Sequence, residues 1–442
     1  MTVISRLKKL FHNLRWILMD LIGVFCISSG MFIIYIGQGV LNILLFSISV
    51  ILGCIFIYIS VQFISMDLYH ELVDNNFRNP LVKSRLKSLL REKRMLGKGP
   101  KIVVLGGGTG LSTMLRGLKS YSSNITAIVT VADDGGGSGI LRQDLGILPP
   151  GDIRNCILAL ADTEPVMEKL LQYRFQDGML KGQSFGNLFL AAMDGISSSF
   201  EEAVRRMSDV LAVTGRVLPV TLQDIKLCAE LDDGFTICGE SNISRHNDFH
   251  KGKIKRVYME PKDVKPLKEA IDAINDADII VLGPGSLYTS IMPNLLVNGI
   301  CDEIKASKAV KLYVCNVMTQ PGETEEYSVS DHIKAIEKHS FKGIVDYCIV
   351  NTEDIPGQLK KKYEEDGAST VRLDPDYFEG CGVKVVKGSF VTINNNYVRH
   401  DTKKLAQAII DTAFDAFMQK DRKVETGFYN VHVKNKLKKN VG

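Results

Sequence analysis

The stretch KIVVLGGGTGL at residues 101–111 decides how this chain is read. Lys101 to Leu105 is a short apolar run of the kind that forms a strand buried on both faces. Gly106, Gly107, Gly108, Thr109 and Gly110 follow at once, and Leu111 to Leu118 then favours helix. Strand, glycine turn and helix in that order make a phosphate-binding arrangement. Glycine lets backbone N–H groups approach phosphate oxygens closely, and the positive end of the helix dipole favours the anion. A tight turn alone does not need so many glycines. The loop is not a Walker loop, because no Gly-Lys-Ser or Gly-Lys-Thr follows. It also departs from the dinucleotide fingerprint, whose third glycine position holds Leu111.

Outward from this stretch, a second strand, Ile125 to Val131, ends in Asp133 and Asp134, where a dinucleotide enzyme would hold a ribose hydroxyl. NAD binding therefore stays open as a competing reading. The same two carboxylates lead into the glycine-rich run 135–139 and could instead bind Mg²⁺, which accepts one or two carboxylates plus phosphate oxygens. In PPGDIRN (149–155), Asp152 is placed to cap a helix from Ile153 to Ala161. A further strand, Ala277 to Gly283, runs into Gly283, Pro284, Gly285 and Ser286. There the hydroxyls of Ser286, Tyr288, Thr289 and Ser290 can donate to a phosphate or a base, although Tyr288 reads equally well as a core aromatic. Asn316, at the end of the strand Lys311 to Asn316, points to the same rim. Asn187 is either a polar contact or the cap of a helix beginning near Leu188.

Val217 to Thr221, Ile225 to Leu231 and Phe235 to Cys238 read as a small antiparallel excursion, with Asp232, Asp233 and Gly234 turning between the last two. Elsewhere strands alternate with helices. The expected fold is a Rossmann-like, three-layer α/β domain with a mainly parallel sheet and ligands at its carboxyl edge.

Before that domain the chain has a different character. Ile17 to Ile36 is apolar apart from Asp20 and a few small or hydroxyl residues, and Val40 to Ile64 carries no charge. Each run is long enough to cross a hydrocarbon core of ~30 Å. Only Gly37, Gln38 and Gly39 separate them, which predicts an antiparallel transmembrane hairpin. Arg6, Lys8, Lys9 and Arg15 precede the first run, and Arg78, Lys83, Arg85 and Lys87 follow the second, so both flanks are expected in the cytoplasm. A secretory signal fits less well, since a second span follows and no small-residue cleavage site is evident. Leu81 to Leu96 reads as a basic amphipathic helix suited to anionic lipid, or as a solvated connector. The expected organisation is a hairpin at 1–66, a basic juxtamembrane linker at 67–99, a nucleotide-binding domain at 100–420 and a basic tail at 421–442. The expected location is the cell membrane, with two spans and a cytoplasmic soluble domain.

With 45% hydrophobic and 24% charged residues the chain is globular by composition, and its net charge of +4 gives no global argument for nucleic acid as a partner. None of the nine cysteines forms a Cys-x-x-Cys pair, which predicts a reduced protein with neither zinc nor disulfides. His246, His250, His332, His339 and His400 are isolated, and no nucleophile–base pair stands out, so no catalytic residue is assigned.

Taken in order, GGGTGL (106–111), VADDGG (131–136), PPGDIRN (149–155), GNL (186–188), GESNI (239–243), GPGSLYTS (283–290), CNVMTQPGET (315–324) and RHDT (399–402) resemble the YvcK/CofD family. The likeness spans Lys101 to Phe417. Gly137 stands where many YvcK-like sequences have serine, and the two N-terminal spans are absent from the short soluble members. Resemblance to the YvcK branch implies a regulatory protein that binds a UDP-sugar such as UDP-N-acetylglucosamine and needs no cofactor. Such a protein would link central carbon metabolism to cell-wall synthesis and cell shape. It also implies that Tyr363 and Arg399 contact the nucleotide-sugar, and that Thr402, before a helix from Lys403 to Phe417, is either that helix's cap or a target for a Ser/Thr kinase. The CofD branch implies instead a 2-phospho-lactate transferase that uses a nucleoside diphosphate donor, with Mg²⁺ on Asp133 or Asp134. Homo-oligomerisation is left open.

Overall fold

A computed structural model describes residues 3–37, 39–76, 88, 90–91, 93–162, 164–394 and 396–419. The linker helix expected over 81–96 falls largely outside them, as do Gln38 and the tail at 421–442. The chain forms two compact units, Met1–Glu92 and Lys93–Gly442.

The first unit is a pair of helices, α1 (Val3–Ile36) and α2 (Val40–Asn76). Within them Leu18–Ile36 and Val40–Phe63 have mean hydropathies of 2.0 and 2.7, long and apolar enough to cross a membrane. Only 11% and 6% of these windows are buried, so their apolar side chains face outward, unlike those of a core helix. The helices pack antiparallel through small residues. A Cβ on Gly53 would lie 2.7 Å from the Gly23 carbonyl oxygen, so the two backbones touch where both residues are glycine. Ser49 and Ser60 donate across the pair to the carbonyls of Cys26 and Trp16, at 2.6 and 2.8 Å.

The second unit is built on seven parallel strands: β1 (Ile102–Gly106), β2 (Ile125–Val129), β3 (Arg216–Pro219), β7 (Ile279–Leu282), β8 (Val310–Val314), β9 (Tyr347–Asn351) and β10 (Lys384–Gly388). Their spatial order is β10-β9-β8-β7-β1-β2-β3. Helices α3 (Gly108–Leu118), α4 (Gly136–Leu145), α5 (Gly151–Leu160), α6 (Pro165–Gln172), α7 (Phe185–Gly195) and α8 (Phe200–Val210) separate the first three strands. After β3 come β4 (Lys226–Leu231), β5 (Thr236–Cys238), the short α9 (Glu240–Ser244) and β6 (Ile254–Glu260), with β4 central in a three-stranded antiparallel sheet. Helices α10 (Lys268–Asn275), α11 (Met292–Leu295), α12 (Ile300–Ala306), α13 (Val329–His339), α14 (Gly357–Glu365), α15 (Pro375–Phe378) and α16 (Thr402–Gln419) complete the helical layers. The hairpin of β11 (Val391–Asn394) and β12 (Tyr397–His400) leads into α16. Strands β1, β2 and β7 are buried at every position, as continuous apolar runs require when both faces are covered.

From β1 the chain proceeds to one side through β2 and β3, then crosses to β7 and proceeds to the other. The topological switch point, where open α/β sheets bind ligands, therefore lies between β1 and β7.

Three expectations are corrected here. The run Val217 to Thr221 is not part of the antiparallel excursion, because β3 pairs with β2 as the edge of the main sheet; strand pairing depends on tertiary contacts that a local pattern cannot report. The helix at PPGDIRN starts one residue before Asp152, which sits in its first turn with Pro150 as N-cap. The absence of disulfides also fails, since Cys228 and Cys238 are bonded. They face each other as partners on β4 and β5, with Cα atoms 4.0 Å apart, because the 232–234 turn folds ten residues of separation into direct opposition.

Candidate functional site

The loops that follow β1 and β7 meet at the switch point. Gly107 is extended (φ −167°) and caps α3, whereas Gly108 has φ +69°, a left-handed conformation that glycine tolerates best. A Cβ on Gly110 would stand 2.8 Å from the Pro284 carbonyl oxygen, so here too glycine permits contact between backbones. Around this contact lies a cavity of about 390 Å³.

Gly107, Gly108, Thr109 and Gly110 line one side of the cavity, Gly285, Ser286, Ser290 and Asn316 another, and Tyr363 and Arg399 a third. Residues far apart in sequence thus share one wall-to-wall space of the size that holds a small ligand. Gly106 and Gly283 belong to the support beneath it. Thr130 donates its N–H to the Gly106 carbonyl, and Gly283 donates to the Leu105 carbonyl.

Asn316 and Gln320 brace the second loop, donating to the Gly285 carbonyl at 2.9 Å and the Ser286 hydroxyl at 2.6 Å. Tyr363 packs beside the buried Val317, Ile355 and Val398, and its hydroxyl accepts the Val398 N–H at 3.0 Å. Its hydroxyl is therefore committed to the β12 backbone, leaving the ring as the face available to a ligand. Arg399 is exposed, and its guanidinium lies 5.4 Å from the centroid of the Tyr397 ring.

The other expected site residues lie elsewhere. Tyr288 is core, 2% exposed, with its hydroxyl 2.9 Å from that of Tyr327, and Thr289 is buried beside Glu323. Asn187 neither lines the cavity nor caps its helix. Ser184 is the cap, accepting the Asn187 N–H, and Asn187 is buried in the first turn of α7. Thr402 begins α16 but does not cap it, because Asp401 accepts the N–H groups of Lys403 and Lys404 at 3.0 and 2.9 Å.

Asp133 and Asp134 are likewise outside the cavity lining. Asp133 accepts the Gly135 N–H at 2.9 Å, and Asp134 accepts both the N–H and the hydroxyl of Ser241 at 2.9 and 2.6 Å. They belong to a neighbouring group of carboxylates with Asp152, Glu240 and Glu323, three residues the sequence reading did not assign to a site. Burial raises Asp152 to about 6, with help from Asp133 and against the Gly108 N–H and Arg154. Burial raises Glu240 to about 8, followed by repulsion from Asp133, Glu323, Asp134 and Asp152. Asp152 connects the two regions, since its carboxylate accepts from the Gly108 backbone of the glycine loop.

Mutually repelling carboxylates beside a glycine loop at a helix start are the donor chemistry of a hard divalent cation. Asp133, Asp152 and Glu240 fit that role better than Asp134, one of whose oxygens already takes two Ser241 donors. The fit is to a cation that keeps water and phosphate ligands. Among the described residues, the one His, Cys, Asp or Glu trio with ligand atoms all within 4.8 Å is Cys228, Cys238 and Glu260, and two of these are joined as a disulfide.

Further cavity walls missed by sequence reasoning are Thr113, Gln320 and His400. Thr113 stands one helical turn beyond Thr109, a spacing that could have revealed it. His400, isolated in sequence, stands in this wall. Burial holds it neutral, with its pKa lowered to about 4.

The profile of the family described as 2-phospho-L-lactate transferase CofD matches residues 102–391. A putative gluconeogenesis factor of Clostridium acetobutylicum is 50% identical over 430 residues, covering 96% of this chain and 95% of that protein. The gluconeogenesis factor of Bacillus subtilis is 50% identical over 317 residues, 72% of this chain and 99% of the relative. A crystal structure of a Bacillus halodurans protein superposes with a TM-score of 0.69 at 50% identity, covering 71% of this chain and 99% of that one.

Proposed function

The chain belongs to the YvcK/CofD family, and from that premise we propose that it binds a nucleoside diphosphate sugar, such as UDP-N-acetylglucosamine, in the cleft between the β1 and β7 loops. In this reading it is a regulatory protein that couples sugar-nucleotide supply to carbon metabolism, cell-wall synthesis and cell shape. The hairpin holds it on the cytoplasmic face of the membrane. The observation that carries the proposal is the meeting of the 107–110 loop with Tyr363 and Arg399 around one cavity. Backbone N–H groups at the start of α3 suit the diphosphate, the planar donors of Arg399 suit its outer oxygens, and the Tyr363 ring suits a stacked base.

A second reading, a transferase with a nucleoside diphosphate donor, is favoured by one observation, the carboxylates at Asp133, Asp152 and Glu240 beside the phosphate loop. A divalent cation bound there would neutralise developing charge on a leaving phosphate. The residues themselves would hold the cation, and Asp152 would fix the loop backbone against it.

Competition binding on the full chain in detergent separates these readings. The proposal expects UDP-N-acetylglucosamine to displace a fluorescent UDP probe at concentrations at least about tenfold below GDP or NAD. Preference for GDP would favour the transferase reading, and preference for NAD would overturn both.

A further inference from the structure

The segment after β8 grips the wall of the cavity at three points spaced along it. Besides Asn316 on the Gly285 carbonyl and Gln320 on the Ser286 hydroxyl, Glu323 places a carboxylate under the turn that follows. That carboxylate is 3% exposed. It accepts the Tyr288 N–H at 3.1 Å, the Thr289 hydroxyl at 2.9 Å and the Ser244 hydroxyl at 3.1 Å. Gly322 has φ +81°, and a Cβ there would come within 2.6 Å of the Ser244 carbonyl oxygen, so the segment reaches α9 only with glycine at this position. Gln320 closes the grip on itself, its N–H donating to the Thr324 hydroxyl at 2.9 Å.

The loop after β7 has the look of a second phosphate loop: a strand, Gly-Pro-Gly-Ser, then a helical turn. In the helical turn that follows, however, the Tyr288 N–H and the Thr289 hydroxyl already have an acceptor in the Glu323 carboxylate. We propose that Glu323 is a built-in acceptor that positions the Gly285–Ser290 wall of the cleft, so that this wall is held in place for a diphosphate seated at Gly107–Gly110. It does not touch the ligand. It acts by fixing Tyr288 and Thr289, which lie between Ser286 and Ser290 in the chain, and through Ser244 it ties that wall to the helix bearing Glu240. Removing its carboxylate leaves a backbone N–H and two hydroxyls without their acceptor and frees the wall to move. The inference rests on the nucleotide-sugar reading above.

The test measures UDP-N-acetylglucosamine binding to the full chain in detergent, for wild type, Glu323→Ala and Glu323→Gln, with thermal unfolding alongside. Wild-type binding is the control for the nucleotide-sugar reading itself; its absence would defeat that reading and not this one alone. Given wild-type binding, Glu323→Ala is expected to weaken affinity at least about tenfold, and about 0.1 M formate is expected to restore much of it, whereas chloride at equal ionic strength does not. Glu323→Gln, which keeps an oxygen acceptor but no charge, is expected to fall between the two. If Glu323→Ala does not fold, the Gln variant decides: wild-type affinity in a folded Glu323→Gln protein overturns the proposal. Unchanged affinity in a folded Glu323→Ala protein, or rescue by chloride as fully as by formate, overturns it equally.

Discussion

Glu240 and Asp152 show how single residues set the character of the site. Burial and four neighbouring carboxylates raise Glu240 from 4.5 to about 8, so the folded chain holds a proton that the unfolded chain releases near pH 4.5. A carboxyl raised on folding contributes stability that is present below its unfolded pKa and lost as pH rises through its folded one. Ligand-free protein is therefore expected to lose stability between about pH 4.5 and 8, with Asp152, raised to about 6, adding to the lower part of that window. Glu240→Gln should flatten this slope and be more stable than wild type at pH 8, by on the order of 1 kcal/mol after allowing for partial exposure. Denaturant titrations across this range with chelator present check it; an unchanged slope in the variant would mean that Glu240 is not held protonated. At this scale the sequence was only partly informative. Gly107 to Gly110 were readable because a glycine run has few other uses, whereas Glu240 and Glu323 lie far along the chain and become neighbours of Asp133 only through the fold. Tyr288 stays open between contact and core in the sequence, because a tyrosine beside a glycine loop has the same local sequence whether its ring turns outward or, as here, toward Tyr327.

Among the elements, the strands that carry the site were the most legible. β1, β2 and β7 are continuous apolar runs that lead into Gly106, Asp133 and Gly283 at the carboxyl edge, which is where the loops of an open parallel sheet converge. Edges and caps were less so. The run after Arg216 has the local pattern of the antiparallel sheet yet pairs with β2, and the starts of α5, α7 and α16 are set by Pro150, Ser184 and Asp401, near Asp152, Asn187 and Thr402, for which the sequence leaves a capping reading open. Several polar residues precede each helix, and only the turn geometry selects among them. The hairpin elements α1 and α2 read directly from length and hydropathy. Tyr35, 88% exposed near the end of α1, reports their orientation. A cysteine at Tyr35 is expected to react with a membrane-impermeant maleimide in intact cells, above the background of the native thiols, whereas one at Gly97 reacts only after lysis. The reverse pattern would invert the hairpin and place the nucleotide fold outside.

For the molecule as a whole, the account depends on residues from both ends of the 100–419 region meeting across the switch point. The glycine loop comes from the first strand and Arg399 from the last hairpin, and no local pattern announces that they share a cavity; the sequence suggests it only through family likeness. The disulfide between Cys228 and Cys238 is a similar case, produced by strand register rather than by spacing. Arg399 is the most direct probe of nucleotide-sugar binding because it is exposed, lies outside the core and would contribute its donors to a ligand. Titration calorimetry of UDP-N-acetylglucosamine into the full chain, wild type against Arg399→Ala, is the direct measurement. The account predicts saturable one-site binding by wild type and an affinity at least about tenfold weaker in the variant, roughly 1.4 kcal/mol, with thermal unfolding nearly unchanged. Equal affinity in the two folded proteins would contradict it and remove the nucleotide-sugar from this cleft.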